Sequence, residues 1–265
     1  MKNGRKKTVL FLLVAAFICS QVLFASGAPE KGVGEVISKN FNNENFDSLT
    51  ISGIENFEIV MSDSYSVKVK ADENIIENVD VVQQGASLFI ILPDAYKYNP
   101  ATLAAVVEVP RLEKITIEAK SHGKLSGTPL PEDVKISVTS GSTLDMQNFF
   151  GDRVDLEVSV GSTLTGVIEA DDLNLRIYSS CVELAGQADS IFCFSDAGSV
   201  VMNELFIETA VLDFHNGSTG TCILKDFSEN RKASTTIVKL YDESTLTLSS
   251  EGDVSDYVDD DSTLS

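Results

Sequence analysis

The stretch Val154-Asp155-Leu156-Glu157-Val158-Ser159-Val160-Gly161-Ser162-Thr163-Leu164 decides the fold. Its first half alternates apolar and polar residues, the period of a strand with one face in and one face out. Gly161 then supplies a position where positive φ is cheap. Ser162 follows, and a second short strand begins near Leu164. The same turn stands upstream as Gly141-Ser142-Thr143-Leu144. Downstream it returns as Gly198-Ser199-Val200-Val201, Gly217-Ser218-Thr219-Gly220, Glu243-Ser244-Thr245-Leu246 and Asp261-Ser262-Thr263-Leu264. Weaker copies are His122-Gly123-Lys124-Leu125 and Ser180-Cys181-Val182-Glu183. The copies begin at 122, 141, 161, 180, 198, 217, 243 and 261, so all intervals but one fall between 18 and 20 residues. The exception, 26 residues, contains Lys225–Lys232, polar apart from Phe227, and reads as a loop inserted into one coil.

The residues before each turn keep the register. Five positions upstream stand Ile117, Ile136, Leu156, Leu175, Cys193, Leu212 and Val238; three upstream stand Ala119, Val138, Val158, Ile177, Ser195, Phe214 and Leu240. One upstream stand Ser121, Ser140, Val160, Ser179, Ala197, Asn216 and Asp242, which this reading also places inward. Such a repeat cannot bury its apolar face alone, but stacked copies bury a continuous aliphatic column. Equivalent residues then lie about 4.8 Å apart along the axis. The expected fold is all-β, a parallel β-helix with coils of 18–20 residues. In seven of the eight copies the position after the start holds Ser or its near-isostere Cys: Ser142, Ser162, Cys181, Ser199, Ser218, Ser244 and Ser262. That column is read as a tight corner needing a small residue that bonds backbone, in preference to a hydroxyl-lined ligand groove. Asp242 and Asp260 fall in a nominally inward column, so either the last coils splay or the register slips there.

Upstream, residues 46–110 form an N-terminal β region ahead of the regular repeats at 111–265. Leu49-Thr50-Ile51, Phe57-Glu58-Ile59-Val60, Val67-Lys68-Val69, Leu88-Phe89-Ile90-Ile91 and Val106-Val107-Glu108-Val109 alternate between turn residues such as Ser52-Gly53 and Pro100. Glu73–Val79 has room for one short helical turn, and residues 28–45 read as a linker. Residues 1–27 have the order of a secretory signal: basic Met1–Lys7, apolar Thr8–Phe24, then small residues for cleavage after Gly27 or Ala28. Bulky Ile18 before Cys19 argues against lipidation, and Ser20-Gln21 leave the apolar run short of a membrane span. No later segment is long and apolar enough to cross a membrane. The formal charge is −20; removing the signal's Lys2, Arg5, Lys6 and Lys7, with no acid among them, takes it to −24. So acidic a chain disfavours nucleic acid and anionic surfaces. Cys181, Cys193 and Cys222 would remain, an odd number, read as small buried apolar residues.

The opening Phe46-Asp47-x-Leu49-x-Ile51-x-Gly53 resembles the bacterial GIN domain, the head domain named for auto-transporter adhesins. So do Val67-Lys68-Val69-x-Ala71-Asp72-Glu73-Asn74, the run Gly85-x-Ser87-Leu88-x-Ile90 and the serial Gly-Ser-Thr turns. The resemblance covers Phe46 to the C-terminus. It implies a right-handed, pectate-lyase-like β-helix exported to the envelope, with no catalytic residue and no cofactor to carry over. No translocating barrel is expected after Ser265.

Among candidate chemistries, some β-helix enzymes cleave acidic polysaccharides with clustered Asp, Arg or Lys. Here no Asp repeat is expected on one outward face, and Arg111, Arg153, Arg176 and Arg231 fall on different coils. His122 and His215 lie five coils apart, about 24 Å by strand spacing, too far for one site. The carboxylate-rich tail Glu251–Asp261 reads as a solvated end that blunts an open sheet edge rather than a calcium site. No catalytic, cofactor or metal residue is therefore assigned. The expected function is an exported, non-enzymatic, adhesin-like β-solenoid that binds protein or glycan. It would act in the periplasm, at the outer membrane surface or outside the cell. A polysaccharide lyase or hydrolase on the same scaffold is the alternative. Homo-oligomers stacked through the solenoid ends are a further possibility.

Overall fold

The computed structural model describes residues 28–127, 133–226 and 234–265. The signal segment 1–27 and most of the inserted loop lie outside the described residues, as does Arg231. From Lys114 onward the chain is a stack of parallel coils. One column of partners runs Val134, Val154, Leu173, Ile191, Ala210, Thr236 and Val254. The strands Thr143–Ser159, Thr163–Tyr178, Cys181–Asp196 and Ser199–His215 each run from one turn to the next. They bend part-way, where the pairing register shifts at Met146/Phe149, Leu184/Gly186 and Met202/Leu205. Beside those bends Asn148 and Glu204 take left-handed φ of 53° and 55°.

The inward residues of each strand stack on their equivalents in the next coil, and Leu156, Val158, Leu175 and Ile177 are buried to within 1%. Two parts of the sequence register need correcting. In the first regular coil Ile115, not Ile117, pairs with Ile136, and Ile117 pairs with Val138. The short Pro110–Glu113 connection gives no repeat copy by which to fix that phase. From the second regular coil on, the position one before the turn faces solvent: Ser140, Val160, Ser179, Ala197, Asn216 and Asp242 have φ between 47° and 59° and are exposed, whereas Ser121 in the first coil is buried. A left-handed residue reverses the chain, so the alternation stops one residue early. This also resolves Asp242, which is outside. The inward column instead ends on exposed Asp256, the partner of Val238.

The buried serine column is likewise shifted. Cys181 and Ser199 pair with Thr163 and Thr219, outside the ladder; the inward members are Ser121, Ser142, Ser162, Ser180, Gly198, Ser218 and Ser244. Five of these hydroxyl oxygens accept from the backbone N–H of the preceding coil: Ile54 N–H to Ser121, Ser121 N–H to Ser142, Ser142 N–H to Ser162, Ser162 N–H to Ser180 and Gly198 N–H to Ser218, at 3.1–3.2 Å; the buried Ser244 hydroxyl has no partner among the described residues. The corner thus satisfies main-chain donors that no strand pairs. The spacing of two residues in long turns and one in short turns moved the sequence register by one at 180 and 198. Cys181 is consequently exposed, whereas Cys193 and Cys222 are buried, as expected.

The N-terminal region joins the same stack out of order. Ser48–Ser52 lies between Lys114–Glu118 on one side and Ser87–Ile91 on the other, parallel to both. Asn56–Met61 lies between His122–Ser126 and Leu103–Val109 in the same way. Beyond them Ser66–Asp72 pairs antiparallel with Leu103–Val109 and Asp80–Gln84 with Ser87–Ile91, closing that end of the column. The stretch read as a linker is partly structured: Val36–Phe41 pairs antiparallel with Ser66–Asp72, and Glu30–Lys31 pairs with Tyr98–Asn99. Ile37 and Phe41 pack against the core. The expected short turn within Glu73–Val79 is a 3-10 turn at Ile76–Asn78.

Candidate functional site

Most corners are closed by two to four residues. The coil formed by Ser87–Ile91 and Leu103–Val109 is joined instead by residues 92–102, an arch with one 3-10 turn, Ala95–Lys97, and the two-residue strand Tyr98–Asn99. The arch overhangs the corners of the two coils beneath it and encloses a cleft of about 760 Å³. Ile91, Leu92, Pro93, Tyr98, Pro100 and Leu103 give it an apolar wall, and Tyr96, 76% exposed, stands at its mouth. Glu55, Lys120, His122 and Ser140 line the opposite side from the corners below.

The arch is pinned at both ends. Leu92 N–H donates to Ser52 C=O at 2.9 Å. The buried Asp72 carboxylate accepts from Ala101 N–H at 2.7 Å and Thr102 N–H at 3.1 Å. In the arch itself Lys97 pairs with Asp94, which holds the ammonium pKa above its usual value, and Lys97 sits 5.7 Å from the Tyr96 ring centroid. Asp94 has φ 51°, and on the far wall Ala119 and Lys120 have φ 56° and 59°. Left-handed non-glycine residues carry backbone strain, and with Ser140 (φ 59°) four of them line this cleft. His122 Nδ1 is 3.0 Å from Thr143 Oγ1. Lys120 and Glu55 are exposed and have no side-chain partner among the described residues.

Sequence reasoning assigned no site. The signal lies in the connection between Ser87–Ile91 and Leu103–Val109, where Pro93, Tyr96, Tyr98 and Pro100 fall together; loops on a rigid scaffold commonly carry function. Lys120 and Glu55 reach the same cleft only through coil stacking.

Two other surfaces bear on chemistry. Contrary to expectation, carboxylates do repeat on an outward edge. Asp152, Asp171, Asp189 and Glu208 each precede paired residues, Arg153, Asp172, Ser190 and Thr209, and so form a column. With Glu169 and Gln187 the first three line a shallow groove of about 210 Å³. Asp152, Glu169, Asp171 and Asp189 are all exposed. Acid–base catalysis by a carboxylate pair needs unlike environments, one of them buried enough to hold a proton, and these four share one solvated environment. Among the described residues no three His, Cys, Asp or Glu side chains form a metal-holding group.

The second surface is an outward ladder of rings. Tyr178, Phe194, His215, Tyr241 and Tyr257 lie 4.6–5.8 Å apart, centroid to centroid, with His215 and Tyr241 stacked at 15°. The rings face one another along the axis, so the ladder ties coils together. His215 Nε2 bonds Asp213 at 2.8 Å, and His122 lies in the cleft, so the structure does not bring the two histidines together. At the far end the Ser262 hydroxyl and Asp242 N–H hold the Asp259 carboxyl below its usual pKa. Exposed Asp256, Asp260 and Asp261 complete an edge hostile to strand addition.

Against known proteins, the profile of the family described as "Putative auto-transporter adhesin, head GIN domain" matches residues 45–220. The chain belongs to this family. No curated protein matches it in sequence. Several crystal structures share the fold of this GIN-domain chain. A protein from Parabacteroides distasonis, described as a putative lipid binding protein, superposes with a TM-score of 0.72 at 14% identity, covering 88% of this chain and 97% of its own. A putative adhesin from Parabacteroides merdae gives 0.66 at 15% identity, covering 90% and 98%. A putative adhesin from Bacteroides fragilis gives 0.57 at 13% identity, covering 88% and 98%. At these identities the likeness establishes a common all-β architecture. No helix among the described residues is long and apolar enough to cross a membrane.

Proposed function

We propose that this chain is an exported, non-enzymatic, adhesin-like module that binds protein or glycan at the cell envelope, with the cleft under the 92–102 arch as its binding site. The carrying observation is that arch. A regular stack of coils departs from its short corners there and leaves aromatic and charged side chains around a concave apolar wall. Family membership supports an adhesin-like role, and the fold relatives carry descriptions of binding, as adhesins or a lipid-binding protein. Residues 1–27 act as the export signal in this reading. The module is a single solenoid domain over 46–265, working in the periplasm, on the outer surface or beyond. Its coils wind right-handed, because parallel strands joined by a crossover almost always do.

The test is binding of the purified protein to glycan and envelope-protein arrays, beside Tyr96→Ala and Tyr98→Ala. Retention of ligand by the parent and its loss in both variants is expected; ligand bound equally by all three would move the site elsewhere. The carboxylate groove favours a second reading, a polysaccharide lyase or hydrolase. It requires release of reducing ends from neutral or acidic polysaccharides, abolished by Asp171→Asn. Sustained turnover of that kind would displace the binding-module reading.

A further inference from the structure

We propose that the cleft takes one zwitterionic amphiphile, its apolar body against Leu92, Pro93, Tyr98 and Leu103 and its headgroup between Lys120 and Glu55. The inference rests on the reading of the cleft as the binding site and goes beyond it, adding a small amphiphile to the protein or glycan proposed above. Besides the phenols of Tyr96 and Tyr98, four acidic or basic side chains line the cleft: Glu55, Asp94, Lys120 and His122. Asp94 is matched by Lys97, and His122 is engaged by Thr143. That leaves one ammonium and one carboxylate, each without a side-chain partner among the described residues, on the corner side of the cleft.

Each simpler headgroup satisfies only part of this rim. An anionic head would meet Lys120 but also Glu55, in the field of a chain with formal charge −20. A cationic head would meet Glu55 and be opposed by Lys120. An uncharged head would draw water from both charges and return no opposite charge to either. A head carrying both signs answers both. The wall decides the rest of the molecule, because mostly apolar surface is matched by hydrocarbon. The volume, about 760 Å³, suits a single small molecule and not a patch of bilayer.

The test is titration calorimetry of the purified protein with dodecylphosphocholine, dodecanoate, dodecyltrimethylammonium and dodecyl maltoside. All are kept monomeric, and phosphatidylcholine vesicles form a separate arm. Dodecylphosphocholine is expected to saturate at one per chain, about tenfold tighter than the other three. Lys120→Asn, which tolerates the left-handed φ, and Glu55→Gln should each weaken it about fivefold. Neither should change dodecyl maltoside binding or the unfolding temperature. Equal affinity for all four heads, indifference to both substitutions, or binding to vesicles alone would overturn the proposal. If no probe binds while array ligands are still lost in Tyr98→Ala, the amphiphile assignment falls and the broader binding role stands.

Discussion

Val158 offers the sharpest test of the coil stack. It is fully buried, with Val138 and Ile177 as its partners in the coils on either side. Val158→Asp removes a buried aliphatic group, worth about 1.5–3 kcal/mol. It also places a carboxyl where no partner is within the column. That carboxyl stays neutral only if its pKa rises by about three units, a cost of about 4 kcal/mol at neutral pH. The sum, about 5–7 kcal/mol, is comparable to the whole stability of a typical domain. Its neighbour provides the control. Glu157 points outward, 3.8 Å from Lys135 across the coil, with both side chains about half exposed. Glu157→Lys should cost less than about 1 kcal/mol. Urea unfolding followed by circular dichroism measures both. The pH dependence adds a signature. A carboxyl whose folded pKa lies above its unfolded value is least damaging below the unfolded value, and its penalty grows as pH rises toward the folded one. Val158→Asp should therefore lose the ionisation part of its deficit in acid, about 4 kcal/mol, and keep the part due to the lost aliphatic burial. Equal losses for the two variants, or a folded Val158→Asp with an unchanged midpoint, would refute the inward column.

Three further outcomes follow from the corners and the thiols. Ser142→Ala strips the acceptor from the buried Ser121 N–H and should cost about 1–3 kcal/mol in the same urea assay, against a few tenths for Thr143→Ala. Val160 holds φ 57° while 65% exposed, so Val160→Gly should raise the unfolding free energy by about 1 kcal/mol by relieving a left-handed β-branched residue. In a thiol-reagent assay at pH 8, Cys181 should react at once and Cys193 and Cys222 only on unfolding. Burial pushes the Cys222 thiol up to about 12 and the Cys193 thiol well above its ordinary value. Since those folded values exceed the unfolded 9.0, the thiols' contribution is complete below pH 9 and fades as pH climbs toward 12. Replacing both by Ala should flatten that alkaline limb.

Coil length, parallel stacking and the aliphatic interior were legible in the residues because each is a local, repeated pattern. Leu156-Glu157-Val158 declares its faces without reference to anything distant, and the recurring turn repeats the declaration at nearly constant spacing. Such a segment can bury its apolar side only by lying on a copy of itself. Where the spacing varies, local reading lost a residue. The turns at 180 and 198 are shorter than those at 141 and 161, so Cys181 and Ser199 took places that belong to Ser180 and Gly198. Val36–Phe41 escaped notice because an edge strand needs only Ile37 and Phe41 to pack. The cleft was decided by tertiary structure alone. Its charges, Glu55 and Lys120, lie on separate coils, and its arch joins strands that stack out of chain order. A sequence fixes what each coil must hide; which side chains meet across neighbouring corners depends on how far the stack turns from one coil to the next, and that is set by every contact between them at once.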